Sequence, residues 1–296
     1  QTTFPSSVVP VSTAIPAFIG YTELGGETGE NRPLDHKATR IQSLLEYEKL
    51  FGKAKSQSLV VTLQENNPIE ESIPVEVTLA DVSSPYLMYY QVLMYFLNGG
   101  GPCYIISVGD YKTGDVKVLK RDLDSTNDTE GAGGLAVAKK EDEITLLVFP
   151  DAPALNDADY YGLYQDALVQ CAELKDRFTI IDVKEKSNIL SSVDGIRGTD
   201  SNPTTAIGNT NLNYGAAYFP YLKTTLRYQY DLEASDTIAF MRGETVVAAS
   251  ELLANTQFTA AMERLIANFS VTLPPCGAMA GIYAQVDRTR GVFKAP

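Results

Sequence analysis

Histidine is nearly absent, cations are outnumbered, cysteine is sparse and no apolar run is long. The 296 residues include one histidine, three cysteines, and 24 Lys and Arg against 37 Asp and Glu, a formal charge of −13. The single imidazole is His36, set among Arg32, Pro33, Asp35 and Lys37 in a polar stretch. A Ser-His-Asp triad needs an imidazole to take and return the serine proton, and this one has no apolar setting to work in. The shortage of cations argues against nucleic acid and anionic membrane surfaces as partners, because the net field repels polyanions. The longest apolar stretches, such as 144–149, run about six residues against the roughly 20 of a spanning helix, so no membrane insertion is expected and the chain reads as soluble. Cys103, Cys171 and Cys276 are odd in number, widely spaced and apolar in setting. They read as small buried hydrophobes in a reducing compartment, not as disulfide partners or metal ligands. The chain opens on Gln1, Thr2 and Thr3 without the basic segment and apolar run of a secretory leader, and the lack of an initial Met reads as trimming.

What is present is 44% apolar residues, enough for at least one sizeable core in a chain longer than a typical domain. Residues 7–21 are rich in Val, Ile and Thr, and Pro5 before them with Pro10 and Pro16 within them forbids a helix, which predicts one or two strands and an entry arm. Apolar side chains share one helical face over 40–51, with Gly52 as a stop. The runs 59–63 and 73–79 alternate and are separated by Asn66, Asn67 and Pro68, as in two strands of a peripheral sheet. A helix is predicted over 85–98, capped by Ser84, started by Pro85 and ended by Gly99. The strand 103–108 follows, apolar on both faces. Residues 111–143 read as a polar surface loop.

Strand 144–149, helix 157–174 capped by Asn156 or Asp157, and strand 178–183 make a parallel crossover unit, so the core is predicted to be α/β with helices on the faces of a sheet. A further strand is expected at 215–219, an insertion over 223–272 with a helical region near 250–269, and a small-residue helix at 276–287. The resulting division is an N-terminal strand region (1–22), a smaller peripheral α+β lobe (23–83), a helix and strand joining the core (84–110), the polar loop, the insertion, and an α/β core from 144–222 and 273–296.

Local chemistry is thin. Gly131, Gly133 and Ala136 fit G-x-G-x-x-A, but Asn127, Asp128, Thr129 and Glu130 stand where a dinucleotide site has a buried strand, and acids there repel phosphate. Asp122, Asp124, Asn127 and Asp128 cluster oxygens without the EF-hand spacing. Asp151 and Asp182 fall at strand ends, where catalytic acids of α/β proteins gather, but no G-x-S-x-G elbow accompanies them. No cofactor, metal or catalytic residue is assigned. Most of the seventeen tyrosines, such as Tyr160 and Tyr164, lie at core spacing.

Five ordered blocks carry a resemblance. AIPAFIGYTE at 14–23, MYFLNGGGPCYIISVG at 94–109, FPD at 149–151, YGAAYFPYL at 214–222 and AGIYAQVDRTRGVFKAP at 280–296 resemble, in order, segments of phage and phage-derived contractile tail sheath proteins, with extracellular contractile injection systems and related tail-like particles the nearest variants. The residues carrying it are Ile15, Pro16, Phe18, Gly20, Asn98, Gly99, Gly100, Tyr104, Asp151, Gly215, Tyr218, Pro220, Gly281, Tyr283, Asp287, Arg290, Gly291, Lys294 and Pro296. The resemblance implies a mixed, mostly parallel, subtilisin-like sheath core and no enzymatic activity. It implies a structural subunit that polymerises helically around an inner tube and contracts to drive it through a target envelope. The implied partners are other sheath subunits, the inner tube protein, and baseplate and cap proteins. The implied location is the producing bacterium's cytoplasm, then the virion tail or released particle. Family members usually carry an arm before the first block, and a further domain and arm after the last, which this sequence does not span, so it reads as a truncated core. Arg288, Arg290 and Lys294 are expected to face an acidic patch on an adjacent subunit. A small-molecule or nucleotide-binding α/β protein is the alternative.

Overall fold

The computed structural model describes residues 13–27, 31–64, 73–79, 84–111, 117–124, 133–198, 206–230, 238–248, 252–267 and 270–291. The chain enters as β1 (Pro16–Thr22) and β2 (Ala38–Ile41), then α1 (Leu44–Phe51), β3 (Leu59–Leu63), β4 (Pro74–Leu79), α2 (Met88–Leu97) and β5 (Cys103–Asp110). It continues through the short helices α3 (Lys120–Asp124) and α4 (Gly134–Ala138), β6 (Leu146–Val148), α5 (Asp157–Leu174), β7 (Phe178–Asp182) and α6 (Ile189–Arg197). Strands β8 (Gly215–Tyr218), β9 (Leu222–Arg227), β10 (Ile238–Arg242) and β11 (Thr245–Val247), helix α7 (Thr256–Ala267), β12 (Ser270–Leu273) and α8 (Cys276–Arg290) complete it.

Six strands form the main sheet in the order β2-β5-β1-β6-β7-β8, parallel throughout except for β2 against β5. The protein is therefore mixed α/β, with helices flanking a mostly parallel sheet. Period-two alternation splits the strands between two cores. Ala17, Ile19, Tyr21, Ile106, Leu147 and Ile181 point to the layer of α3, α4 and α5. Phe18, Ile105, Leu146, Val148 and Ile180 point to that of α1, α2 and α8. Burial on both faces explains why these strands read as continuous apolar runs. The β6-α5-β7 crossover is as expected, with Asn156 Oδ1 accepting from Asp159 N at 3.0 Å as the cap of α5.

Tertiary contacts override several local readings. The helix expected over 40–51 begins at Leu44, because pairing of 38–41 with β5 holds Arg40 extended and Ser43 caps the helix through Glu46 N. The helix expected from Pro85 begins at Met88; Ser84 Oγ instead accepts from Tyr86 N. The polar loop is not a loop throughout, since α3 and α4 bury Leu123, Leu135, Val137 and Ala138 against the core; residues 112–116 and 125–132 lie outside the described residues. The core does not start at 144, for β1, β2 and β5 are strands of the same sheet. Nor is 223–272 a separate insertion. Its β10 pairs in parallel with β3, giving a second sheet in the order β11-β10-β3-β4, and α7 covers one face of that sheet with Phe258, Met262 and Ile266. The peripheral lobe is thus built jointly from 59–79 and 238–267. A small antiparallel pair, β9 with β12, lies against α2 through Val271, Leu273 and Tyr90.

Candidate functional site

In open α/β sheets the groups that do chemistry collect beyond the carboxyl ends of parallel strands. Here that edge holds two fully buried acids, Asp151 after β6 and Asp182 at the end of β7. Neither opens onto a cleft; each holds the start of a helix from a distant part of the chain. Asp151 Oδ2 accepts from Tyr21 N at 2.7 Å and Oδ1 from Leu87 N at 2.6 Å, the residue before α2. Leu87 has no capping side chain, so the carboxylate supplies from across the sheet what Ser84 was expected to supply locally. Asp182 Oδ1 accepts from Cys276 N at 2.9 Å, the first residue of α8, whose N-cap is Pro275. Burial pushes both carboxyls up to about 7, opposed by backbone N–H donors at Asp151 and by the Cys276 thiol and N–H at Asp182.

The two capped helices pack on each other at backbone contact. A Cβ on Gly277 would lie 2.3 Å from Gln91 O, and one on Gly281 would lie 2.6 Å from Tyr95 O. Gln91 locks the seam, its Oε1 accepting from Gly277 N at 2.9 Å and its Nε2 donating to Pro274 O at 2.8 Å. Gly20 is required on the other side, where a Cβ would come within 2.5 Å of Asp151 Oδ2.

All five sequence blocks meet at this junction. Gly20 of the first faces Asp151 of the third, and Phe18 packs edge-on against Tyr95 of the second at 5.3 Å between ring centroids. Gly99, at φ +87°, abuts Gln285 of the fifth, and Gly281 abuts Asn98. Tyr218 of the fourth shares a 2.7 Å hydrogen bond with Tyr283 of the fifth. The remaining motif residues hold the same frame. Ile15 N donates to Thr145 Oγ1, Pro16 opens β1, and Gly100 lies under the Tyr95 ring. Tyr104 donates to Glu143, Gly215 lies against Leu168, and Pro220 follows a cis peptide bond. Asp287 accepts from Thr13, and Gly291 ends α8 at φ +85°. Lys294 and Pro296 lie outside the described residues.

The other candidates do not converge. His36 is exposed in the 31–37 loop, while the acids are fully buried, and its backbone N–H donates to Ser107 O. Gly131, Asn127 and Asp128 are outside the described residues; Gly133 caps only the five-residue α4. Asp122 accepts from the Tyr21 hydroxyl and Asp124 pairs with Lys120, so both acids already have partners. Among the described residues no group of three or more His, Cys, Asp and Glu could hold a metal, and no helix is long and apolar enough to cross a membrane. The three cysteines are buried free thiols, as expected. Arg288 and Arg290 are exposed on the last turn of α8, but Arg288 also donates to Gly99 O at 3.2 Å, tying α8 to the end of α2. Sequence reading missed Gln91, which looked like one polar residue in an apolar helix. Its placement three residues after Met88, on the face toward a Gly-x-x-x-Gly helix, was the available signal.

No protein-family model matches the chain, and no curated protein matches it. Among solved structures it is similar to the helical sheath of the anti-feeding prophage (AFP) in the contracted state, at 20% identity and a TM-score of 0.48, covering 100% of this chain and 53% of that one. It is also similar to the contracted sheath complex of PVC, an extracellular contractile injection system, at 19% identity and a TM-score of 0.47, covering 100% and 54%. A chain of the six-fold symmetrised AFP baseplate gives 19%, a TM-score of 0.49, and 100% and 55%. The chain spans about half the length of the solved chains it matches.

Proposed function

We propose that this chain is the core of a structural subunit of a contractile tail sheath, with copies of itself as its main ligands. The observation that carries the reading is the convergence of the five sheath-like blocks, spread from Ile15 to Gly291, on one junction of β1, α2, β5, β6, β8 and α8. Motif residues that lock two helices onto a sheet suit a block that must transmit force without deforming. Subunits mating head to tail through a heterologous interface whose rotation does not close give an open helix. Contraction then rotates each rigid core from one packed set of contacts to another. About 2 kcal/mol per subunit, an ordinary conformational coupling, summed over a long sheath supplies the work.

The reading is non-enzymatic. Both strand-end acids are fully buried and cap helices, while the lone histidine is an exposed residue of the 31–37 loop. Partners are other sheath subunits, an inner tube protein, and baseplate and cap components; the protein acts first in the producing bacterium's cytoplasm and then in the tail or released particle. Arg290, with Lys294 beside it in sequence, is the better candidate for an acidic patch on a neighbour, since Arg288 is partly engaged within its own chain. Negative-stain imaging of the full-length gene product co-expressed with its tube partner tests the reading: sheathed tubes are expected, abolished by Arg290→Glu with Lys294→Glu. Bare tubes beside a monomeric product overturn it. The alternative, a small-molecule or nucleotide-binding α/β protein, predicts instead a thermal shift with nucleotides or divalent metals.

A further inference from the structure

The two buried caps differ in one respect. Asp151 uses both oxygens as acceptors, from Tyr21 N and Leu87 N, so a proton on either one displaces a hydrogen bond. Asp182 uses only Oδ1, toward Cys276 N; Oδ2 is buried with no hydrogen-bond partner among the described residues. A bare carboxylate oxygen in an apolar interior is expensive, whereas a carboxyl that keeps its proton there is not.

The groups facing Asp182 offer no counter-charge. Helix α8 presents the Cys276 thiol, which burial pushes well above its ordinary range. Helix α5 presents the hydroxyls of Tyr160 and Tyr164, the former donating to Asp182 O, and the segment after β8 presents Tyr221, which itself lies near Glu185. Asp151, one strand away, adds a negative charge felt at Cys276. The Cys276 N–H and thiol favour the ionised carboxyl but are outweighed by burial, and Lys184, whose Nζ lies 5.6 Å from the Tyr160 ring, is turned to Asp157 and Leu155 O.

We propose that Asp182 carries a proton in the folded protein and that giving it up loosens the first turn of α8, making the α2–α8 junction a proton-operated anchor. The neutral carboxyl keeps Oδ1 on Cys276 N and places its hydroxyl at Oδ2. The ionised one is left with an uncompensated charge that α8 can relieve only by lifting away and admitting water. The rest of α8 stays tied by Tyr218 at Tyr283 and Gly99 O at Arg288, so the release is confined to the helix start.

The sign follows from linkage. A carboxyl at about 7 when α8 is docked and in the ordinary carboxylate range when it is lifted binds its proton more tightly in the docked state. Docking is then strongest in acid, weakens as pH rises toward 7, and levels off above it. The test uses the whole chain labelled with carboxyl carbon-13 aspartate, with hydrogen exchange read at the Cys276 amide. The Asp182 carbon is expected to titrate with its midpoint near 7. Protection of Cys276, corrected for intrinsic exchange, is expected to fall about tenfold per pH unit between pH 5 and pH 7, and this slope is lost in Asp182→Asn. A carboxylate already ionised at pH 5, or an unchanged slope in Asp182→Asn, overturns the proposal. Should that variant not fold, the wild-type carbon titration decides by itself.

Discussion

The main sheet and the second sheet are made differently. The main sheet is covered on both faces, and its helices are fastened by buried acids, a buried glutamine and glycines at backbone contact. The second, β11-β10-β3-β4, has α7 on one face and, among the described residues, only partly exposed or exposed side chains such as Thr62, Met241 and Val246 on the other, and is held by the alternation of Leu59, Val61, Leu63, Ile238 and Phe240 toward that helix. None of the five blocks falls in it. Apolar alternation alone tolerates change of side-chain shape, while helices held at backbone contact do not, so the motif is concentrated where geometry is least forgiving.

The sharpest test is to empty the second core. Phe258→Ala removes a buried ring from the layer between α7 and β10, where it packs at 5.8 Å from Phe240. A loss of about 4 kcal/mol is expected, within the usual range for large-to-small core changes. Hydrogen exchange is the discriminating measurement: amides of β3 and β10 should lose protection while those of β1, β5 and β6 keep theirs. Equal loss in both sheets would mean that the two fold as one unit, and the contrast would fail.

Next in size is the cap on the other side. Asp151→Ala leaves Tyr21 N and Leu87 N buried without acceptors, for about 3 kcal/mol in all, and Asp151→Asn, able to accept at one oxygen only, recovers part of it. Chemical denaturation of the two variants measures this. The two acids also give the core a pH signature that the second sheet lacks. Because burial raises both carboxyls to about 7, the folded chain holds protons that the unfolded chain has released between about 4 and 7. Their contribution therefore falls as pH rises through that window. Replacing both with Asn should remove the corresponding difference in melting temperature between pH 5 and pH 7.

A smaller effect is expected at the helix seam. Gly281→Ala places a methyl 2.6 Å from Tyr95 O, and α8 must shift from α2 to admit it, at about 2 kcal/mol. Ala284, one turn on and partly buried against the same core, supplies the control: Ala284→Gly opens no clash and costs about 1 kcal/mol, mostly in helix propensity.

These residues also mark what the sequence made legible. Strand β5, α5 with its Asn156 cap, β7 and α8 were all recoverable, because their signals lie within each element: apolar runs, a cap residue and helical spacing. The start of α2 was not, since its cap is Asp151, sixty-four positions after Leu87, and no local pattern encodes a partner that distant. The joint lobe was missed for the same reason. Pairing of β3 with β10 joins segments about 180 residues apart, and single-strand alternation says that a strand has a buried face without saying which strand lies beside it. The five blocks pointed to the junction residues without saying what they do; only the contacts show that Gly20, Asp151 and Gly281 serve close approach and capping.

The smallest expected effect lies on the open face of the second sheet. Val246 is 69% exposed there, and pairing carries its row across the sheet through Met241 and Thr62 to Glu76. Nothing in the isolated chain covers this row among the described residues, so Val246→Thr removes little buried area and keeps a β-branched side chain in the strand. A change within about 0.5 kcal/mol is expected by thermal denaturation. A distinctly larger loss would show that the face is packed in solution, by a second copy if it also scales with protein concentration. The second sheet would then be closed on both sides like the first, and the contrast between them would reduce to one of fastening, buried acids against apolar alternation.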